Sequence, residues 1–381
     1  MIHRRADLII DHNFKENFRN LKQVFLYITD QCNLRCEHCL YKPNLMFQLR
    51  NREIKLETAL KLISTFREMG ACKLTIMGGE PTMYGNTDGH EPLLKLISEA
   101  KSLGYEYIRI DTNGLFDDSL LSKEEFKKLD EITFSLDGHT AEINDPIRGE
   151  GTFEKCVPNM RKAIRLGYRV DITACVHKGN IGRDAKGNLL LHDLIEFASS
   201  LGANRMNFHP VFKMGVPRDT WIGKTDILPE QWVDARKEIM RNVEHGKYRI
   251  PVRIPHRFIT REEFEKNPEY YGYCSAKMGE RVLIHPNGII RICAVLIGTP
   301  YGVARFCNDR IIWDRSTTNE LSKHKFDMCT PCNNQEKDFG NLVPLCISFK
   351  AKQDEFIWKE KLDWESRKQA KRVTTLLQLE T

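Results

Sequence analysis

The 381-residue sequence lacks a long apolar run, and no segment approaches the roughly 20 apolar residues of a membrane-spanning helix. Its first residues, "MIHRRADLIIDHNF", lack the apolar stretch and the small-residue cleavage site of a secretory signal. The net charge is +6, yet the basic residues are spread along the chain instead of forming a block. The composition therefore gives no support for a nucleic-acid partner. These absences predict a cytoplasmic protein without a membrane partner.

Cysteine, in contrast, is plentiful, with 12 in the chain. In a reducing compartment such a number favours metal ligation over disulfides. Three of them, Cys32, Cys36 and Cys39, lie within "CNLRCEHC". A structural zinc site needs a fourth ligand, and His38 is awkwardly placed between two of the cysteines. An iron–sulfur cluster with one iron left open to a small molecule fits the triplet better.

Strand-like and helix-like segments alternate from residue 22 to residue 250. The first pair is "QVFLYITD" and "KLETALKLISTFREMG", and the third strand is followed by a short predicted helix at "SKEEFKKL". Such alternation predicts a parallel sheet covered by helices. Six units are too few for a closed eight-fold barrel, which leaves a partial barrel or an open doubly wound sheet. In both folds ligands bind at the carboxyl ends of the strands.

Polar and glycine-rich segments fall at the predicted carboxyl ends of the first four strands. Because these ends meet on one rim, the sequence predicts a single binding site there. The segments are the cysteine triplet, "GGEP" with Gly78, Gly79 and Glu80, "DTNG" with Asn113, and "SLDG" with Ser135 and Asp137.

The segment "CNLRCEHC" resembles the CxxxCxxC signature of the radical S-adenosylmethionine (radical SAM) enzymes, and "MGGEP" resembles their second signature. The resemblance covers most of residues 20–250. It implies an α/β fold, a partial (β/α)6 TIM-like barrel, in which the three cysteines hold a [4Fe–4S] cluster and SAM chelates the fourth iron. Members reductively cleave SAM to a 5′-deoxyadenosyl radical, which takes a hydrogen atom from the substrate. A reductant such as flavodoxin or ferredoxin supplies the electron.

The resemblance also implies roles for residues around the cluster. Gly78 and Gly79 let the backbone approach the methionine end of SAM, and Glu80 accepts a hydrogen bond from its amino group. Ser135 resembles a ribose-contacting residue, and Arg148 resembles an arginine that faces the SAM carboxylate, although a surface arginine is an alternative. Three further candidates each have a plain structural alternative: Asn113 in a turn, Asp137 as a helix N-cap or turn residue, and His38 near the adenine or in a solvent-facing loop.

Alternation along the fifth and sixth predicted strands separates a polar face from an apolar one. Ile172 and Phe208 belong to the apolar faces, which should meet the helices. The polar faces should then line the cavity, which favours a polar substrate over a lipid. They carry Asp171, Thr173, Cys175 and His177 on the fifth strand and Arg205, Asn207 and His209 on the sixth.

A second cysteine set lies in residues 274–346, beyond the alternation. Its first two members flank a predicted hairpin, "RVLIHPNGIIRIC", and the next two form "CTPC". Four thiolates at this spacing suit zinc or a cluster. The pattern resembles the auxiliary-cluster domains of radical SAM enzymes (SPASM, or twitch in the short form). It implies one auxiliary [4Fe–4S] cluster on Cys274, Cys293, Cys329 and Cys332, with Cys346 as an alternative ligand. A second, incompletely ligated cluster with Cys307 and Cys346 is the alternative to a single auxiliary cluster.

The sequence therefore predicts four segments. These are an N-terminal extension (1–21), a radical SAM partial barrel (22–250), a SPASM/twitch-like auxiliary cluster domain (251–350), and a C-terminal helix and tail (351–381).

Two enzymatic functions and one non-catalytic function fit these features. Many relatives with such a C-terminal domain modify a peptide or protein side chain, and this function is favoured. The short stretch before the first strand leaves no room for a leader-binding domain, which keeps open a dehydrogenase or epimerase of a small molecule such as an aminocyclitol or sugar. For an epimerase, Cys307 is a candidate hydrogen-atom donor. A non-catalytic iron–sulfur or zinc protein is the third possibility, and both intact motifs argue against it.

Overall fold

The computed structural model describes residues 8–39, 52–211, 225, 227–254, 257–266, 279–294, 302–314 and 342–345. In these residues no helix is both long enough and apolar enough to cross a membrane. The helices are α1 (His12–Asn17), α2 (Leu56–Glu68), α3 (Glu91–Ser102), α4 (Ala141–Arg148), α5 (Thr152–Arg165), α6 (Leu190–Leu201), α7 (Pro229–Glu244) and α8 (Arg261–Lys266). The strands are β1 (Ile9–Ile10), β2 (Gln23–Tyr27), β3 (Lys73–Met77), β4 (Tyr107–Thr112), β5 (Glu131–Ser135), β6 (Val170–Val176), β7 (Arg205–Pro210), β8 (Val252–Arg253), β9 (Arg257–Thr260), β10 (Arg281–Ile284), β11 (Ile289–Arg291), β12 (Ala304–Cys307), β13 (Arg310–Trp313) and β14 (Leu342–Leu345).

A 12-stranded sheet organises the fold, in the order β1-β13-β12-β11-β10-β2-β3-β4-β5-β6-β7-β8. Every neighbouring pair from β10–β2 to β7–β8 is parallel. Helices follow most of these strands along the chain, as the alternation predicted. The result is a mostly parallel α/β arrangement consistent with a partial TIM-like barrel.

The third β-α unit differs from the prediction. Instead of a short α-helix at "SKEEFKKL", two 3₁₀ turns follow β4, at Asp118–Ser122 and Phe126–Lys128. Between them Lys123 adopts an extended backbone, which interrupts any continuous helix. The segment still buries Leu121 and Phe126 completely, so the prediction of a covering element was right and its helical type was wrong.

The two faces of the sheet differ as the strand alternation predicted. Alternate strand residues such as Val24, Ile172 and Phe208 join the main apolar core together with helix residues such as Leu62 and Leu194. We call this the outer face. The opposite, inner face carries the remaining alternate residues, which are polar on β6 and β7.

Four described strands after residue 254, β10 to β13, extend the same sheet at the other side of β2, whereas β9 and β14 pair in a separate two-stranded sheet. β10 pairs with β2 in parallel, from Arg281 opposite Gln23 to Ile284 opposite Leu26. The predicted hairpin is present, because β10 and β11 are antiparallel and Gly288 takes a left-handed φ of 77° at the turn. β12 and β13 follow, and β1 from the N-terminal segment pairs with β13. β1, near the start of the described chain, and β10 to β13 therefore complete one side of the sheet.

A buried ion network lies on the inner face near the amino ends of β4 to β7. Glu131, only 1% exposed, lies 3.1 Å from Arg169 Nε, 3.7 Å from Arg205 Nη2 and 3.8 Å from Arg109 Nη1. Asp171 forms ion pairs with Arg169 and Arg205. Burial acts to raise the pKa of Glu131, but the three guanidinium groups outweigh it and hold that pKa well below its usual range. The carboxylate is therefore charged.

Candidate functional site

The loop that carries the three cysteines, residues 28–39, follows β2 directly, and we call it the cysteine loop. Cys32, Cys36 and Cys39 are partly buried thiols that are not joined in disulfides. The Leu34 N–H donates to Cys32 Sγ at 3.4 Å, and the Cys39 N–H donates to the Cys36 carbonyl at 3.2 Å. Burial raises the pKa of Cys32 to about 12, so a soft metal must displace its proton on binding. Three sulfur donors on one short loop fit an iron–sulfur cluster.

Hydrogen bonds join the cysteine loop to α4 and to Asn113, which follows β4. The Glu37 N–H donates to the Ile147 carbonyl at 2.8 Å. The amide of Asn113 donates to Asn33 Oδ1 at 2.7 Å and lies 4.0 Å from Cys32 Sγ. Asn113 thus holds the loop in place through its side chain, and its predicted contact with the cofactor stays a prediction.

Gly78 and Gly79 pass very close to the cysteine loop. A Cβ at Gly79 would lie 2.3 Å from the Gln31 carbonyl oxygen, and one at Gly78 would lie 2.8 Å from the Thr29 carbonyl oxygen. The Gly79 N–H donates to the Thr29 carbonyl at 2.8 Å. The requirement for glycine therefore comes first from the loop itself, because only a residue without Cβ allows this approach. A residue with a side chain at position 78 or 79 would displace the cysteine loop.

Replacing Gly79 with alanine should displace the cysteine loop, because the new Cβ would overlap backbone atoms that cannot rotate away. We expect the iron retained per chain after anaerobic reconstitution to fall at least about tenfold, the lower end of the loss caused by disturbing the supports of a metal ligand. Gly182→Ala is the matched control, because its Cβ would meet only Leu190 Cδ1 at 3.6 Å. Equal iron content in both variants would contradict the prediction.

Glu80 links the ends of β3 and β4. Its side chain is 1% exposed. Oε1 accepts from Thr82 Oγ1 at 2.8 Å and Thr112 Oγ1 at 2.7 Å, and Oε2 accepts from the Asn113 N–H at 2.7 Å. Thr112 was missed from sequence, because its role shows only when β3 and β4 lie side by side. The predicted contact between Glu80 and the SAM amino group stays a prediction.

Asp137 is the centre of a buried polar cluster just beyond β5. Its Oδ1 accepts from the Cys175 N–H at 2.7 Å, and its Oδ2 lies 2.7 Å from Arg148 Nε and 3.4 Å from His38 Nε2. Burial acts to raise the pKa of Asp137, but Arg148 and then the two nearby histidines hold it below its usual value. The charged carboxylate therefore holds Arg148 and the His38 ring of the cysteine loop together.

Two histidine rings lie parallel in this cluster. The centroids of His38 and His177 are 6.1 Å apart, with an interplanar angle of 19°. Burial lowers the pKa of His38 to about 4 and also lowers the pKa of His177. Both rings are therefore neutral at pH 7.

A second metal ion at this cluster is disfavoured. Ligand atoms of His38, Asp137 and Cys175 lie within 4.8 Å of one another. The Arg148 guanidinium, however, already supplies the cation beside Asp137. Burial also raises the pKa of the Cys175 thiol far above neutrality, so the sulfur stays protonated. Sequence reasoning put Cys175 on the inner face but did not foresee its place beside the cysteine loop.

Replacing Asp137 with asparagine should weaken SAM binding about 10- to 100-fold, the usual effect of losing a partner that orients a ligand. The physical reason is that Arg148 would lose its 2.7 Å carboxylate partner and its fixed orientation. Equilibrium dialysis of SAM against the cluster-loaded protein measures the change. Asp184→Asn, in an exposed turn, is the control, and equal affinities would contradict the prediction.

The remaining predicted site residues lie partly on described strands and partly outside the described residues. Ser135 lies at the end of β5 on the inner face, opposite Thr173. Cys293 follows β11 and is partly buried, and Cys307 is exposed on β12. The other predicted auxiliary ligands lie outside the described residues: Cys274, Cys329, Cys332 and Cys346.

Residues 26–184 match the family model described as the Radical SAM superfamily. A GTP 3',8-cyclase of Lactiplantibacillus plantarum is 32% identical over 147 residues, which is 38% of this chain and 42% of the cyclase. Molybdenum cofactor biosynthesis protein 1 of Drosophila melanogaster is 29% identical over 171 residues, 45% of this chain and 28% of that protein. The chain thus aligns with less than half the length of these curated relatives.

Two solved structures share the fold. Native anSMEcpe with bound AdoMet is 15% identical with a TM-score of 0.57, covering 90% of this chain and 96% of that one. Streptococcus suis SuiB bound to S-adenosylmethionine is 18% identical with a TM-score of 0.55, covering 74% and 62%. At 15% and 18% identity, these two similarities show the shared fold alone.

Proposed function

We propose that this chain, whose residues 26–184 match the Radical SAM superfamily model, cleaves S-adenosylmethionine reductively and removes a hydrogen atom from a polar substrate. The observation that carries the proposal is the close approach of Gly78 and Gly79 to the cysteine loop. It brings both sequence motifs to one place at the carboxyl ends of β2 and β3. When bound, the cluster supplies one electron to SAM, and the resulting 5′-deoxyadenosyl radical supplies the hydrogen-abstracting power.

The chain's own residues would bind and orient these cofactors. Cys32, Cys36 and Cys39 would hold three irons. Arg148, oriented by Asp137, would face the SAM carboxylate. The other proposed contacts with SAM are Gly78, Gly79, Glu80, Asn113, Ser135 and His38.

The electrostatics of the buried site suit radical chemistry. Asp137 and Arg148 neutralise each other, and the two histidines are neutral. Burial keeps Glu80 and Asp137 away from bulk water, and a water-poor site protects a reactive intermediate from side reactions. We also propose flavodoxin or ferredoxin as the reductant and the cytoplasm as the compartment, because the described cysteines are not joined in disulfides.

Anaerobic incubation of reconstituted protein with dithionite and SAM tests the proposal. We expect 5′-deoxyadenosine and methionine in equal amounts, measured by liquid chromatography and mass spectrometry. A fully cluster-loaded sample that forms no 5′-deoxyadenosine would contradict the proposal and favour a non-catalytic metal protein.

For the substrate we propose a peptide or protein side chain. The polar residues on the inner faces of β6 and β7, including Thr173 and Asn207, support a polar substrate. A SuiB structure with its precursor peptide SuiA shares the fold at a TM-score of 0.57 and 14% identity, which supports the fold and leaves the substrate open. A sugar or aminocyclitol dehydrogenase or epimerase is the alternative for a small molecule.

A nucleotide-cyclising function is a second candidate, favoured by the 32% identity to a GTP 3',8-cyclase. The same anaerobic assay distinguishes it when GTP is added. GTP-dependent 5′-deoxyadenosine together with a cyclised nucleotide would support this candidate. An unchanged rate and unaltered GTP would remove it.

We further propose that residues 251–350 form the auxiliary cluster domain, with Cys274, Cys293, Cys329 and Cys332 as ligands and Cys346 as an alternative. Iron and sulfide quantification after anaerobic reconstitution tests this. About eight irons per chain would support one auxiliary cluster by four-iron arithmetic. About four or about twelve would contradict it.

A further inference from the structure

A cavity of about 600 Å³ lies beside α6 and α7, two helices that pack on the outer face of the sheet. The nine described residues that line it are all polar or charged, and none of them belongs to the proposed cluster or SAM site. A cavity of this size is typical of a site for a small molecule. Because no apolar side chain lines it, a polar ligand suits it and a lipid does not.

A hydrogen-bonded network fixes one wall of this cavity. His192 Nε2 lies 2.7 Å from Glu238 Oε1, and the Tyr248 hydroxyl forms a hydrogen bond with His192 Nδ1. Asn242 Nδ2 donates to the Tyr248 oxygen at 3.2 Å, and Arg183 Nη2 donates to Glu238 Oε2 at 2.7 Å. Because these contacts join α6, α7 and the loops beside them, the cavity is formed before a ligand binds. Such preorganisation lowers the free-energy cost of binding.

Cations outnumber carboxylates around the cavity. Arg183 already compensates Glu238, and its hydrogen bond is the main cause that holds the pKa of that carboxyl below its usual value. Three further lining cations form no ion pair within the described part of the chain: Lys237, Arg241 and Lys247. Asp234 is the one other carboxylate among the described lining residues, which leaves two positive charges uncompensated.

The spacing of two of these cations is unfavourable in the absence of an anion. Lys237 and Arg241 lie four positions apart on α7, and residues at this spacing are neighbours on a helix surface. Like charges there repel each other and destabilise the helix. An anion bound between the two side chains would replace this repulsion with attraction, and Lys247 brings a third cation to the same cavity.

We infer that this cavity binds a phosphate dianion, either free or as the ester of a small molecule. The guanidinium of Arg241 matches phosphate with paired N–H donors, while Lys237 and Lys247 supply ammonium charges. A phosphate monoester carries about −1.5 to −2 charges at pH 7, which balances the two uncompensated positive charges. The site lies outside the proposed radical SAM site, so its occupancy does not depend on SAM cleavage.

The test measures binding of glycerol 3-phosphate to the cluster-loaded full chain by isothermal titration calorimetry. Ionic strength is held constant with potassium chloride, because salt screens exposed charges. The double variant Lys237→Gln, Arg241→Gln should bind at least about tenfold more weakly, the effect of losing hydrogen bonds from charged groups. Both side chains are exposed, so the variant should keep the melting temperature of the unaltered protein. Arg161→Gln is the matched control, because it removes an exposed cation of α5 that does not line the cavity.

Orthophosphate and a capped tetraglutamate peptide are the comparison probes. Tighter binding of glycerol 3-phosphate than of orthophosphate would support the site with a phosphorylated molecule as its ligand, and equal affinities would support it with free phosphate. No binding of either anion, or equal binding by the double variant and Arg161→Gln, would overturn the inference. Binding of the peptide but of neither phosphate would also overturn it, and would assign the surface to an acidic protein segment.

Discussion

Replacing Cys36 with alanine should leave a folded protein that forms no 5′-deoxyadenosine above background. The thiol lies between two others on the cysteine loop, and its sulfur also contacts the Arg148 carbonyl at 3.7 Å. With two sulfur donors left, the cluster loses one of its three protein ligands. We expect SAM cleavage to fall by more than about 100-fold. Mutating a residue that only hydrogen-bonds to a metal ligand already lowers metal affinity or activity by about 10- to 100-fold.

Cys307→Ser serves as the matched control for this prediction. Cys307 is exposed on β12, far along the sheet from the cysteine loop. The iron content and the SAM cleavage of the Cys307→Ser variant should equal those of the unaltered protein. The role of Cys36 as a ligand would be refuted if its alanine variant kept the iron content and the visible absorption of the control.

Replacing Glu131 with alanine should lower the free energy of unfolding by about 3–5 kcal/mol, the usual cost of removing one partner from a buried ionic group. Arg169 and Arg205 would keep their charges without the carboxylate that lies between them. Urea denaturation monitored by circular dichroism measures the change. Glu124→Ala is the control, because its 2.6 Å ion pair with Lys127 lies on the surface, and exposed pairs contribute little.

The effect of Glu131 should depend on pH in a defined direction. Its pKa is lowered in the folded state, so its stabilisation is complete above the unfolded pKa of about 4.3. Stabilisation is lost as the pH falls from there through the folded pKa. The difference in unfolding free energy between unaltered protein and Glu131→Ala should therefore shrink below about pH 4. A difference that grows on acidification would contradict the assignment.

Much of the fold could be predicted from sequence because it depends on local periodicity. The strand alternation placed Ile172 and Phe208 on the outer face, and the "NG" turn placed the β10–β11 hairpin. The prediction of a helix in the third β-α unit failed because the extended backbone at Lys123 interrupts it. Periodicity does not encode such a local conformation.

The candidate site could be predicted only in part. The motifs identified the cysteine loop and the glycines, since both are continuous in sequence. Contacts between distant segments could not be read in the same way: Asp137 beside Cys175, and Glu37 beside Ile147, arise from strand order and from the packing of α4. Even so, the alternation had put Cys175 on the correct face.

The pairing of β10 with β2 has a consequence for the order in which the protein is made. Lys22 and Glu280 form a 3.0 Å ion pair across 258 positions of sequence. β2 leads directly into the cysteine loop, yet one of its two neighbours is synthesised only after most of the chain. Contacts of such long range form slowly, and until then β2 is a bare sheet edge. Iron delivery to a growing chain should therefore come late in biosynthesis, once residues 281–284 have emerged from the ribosome.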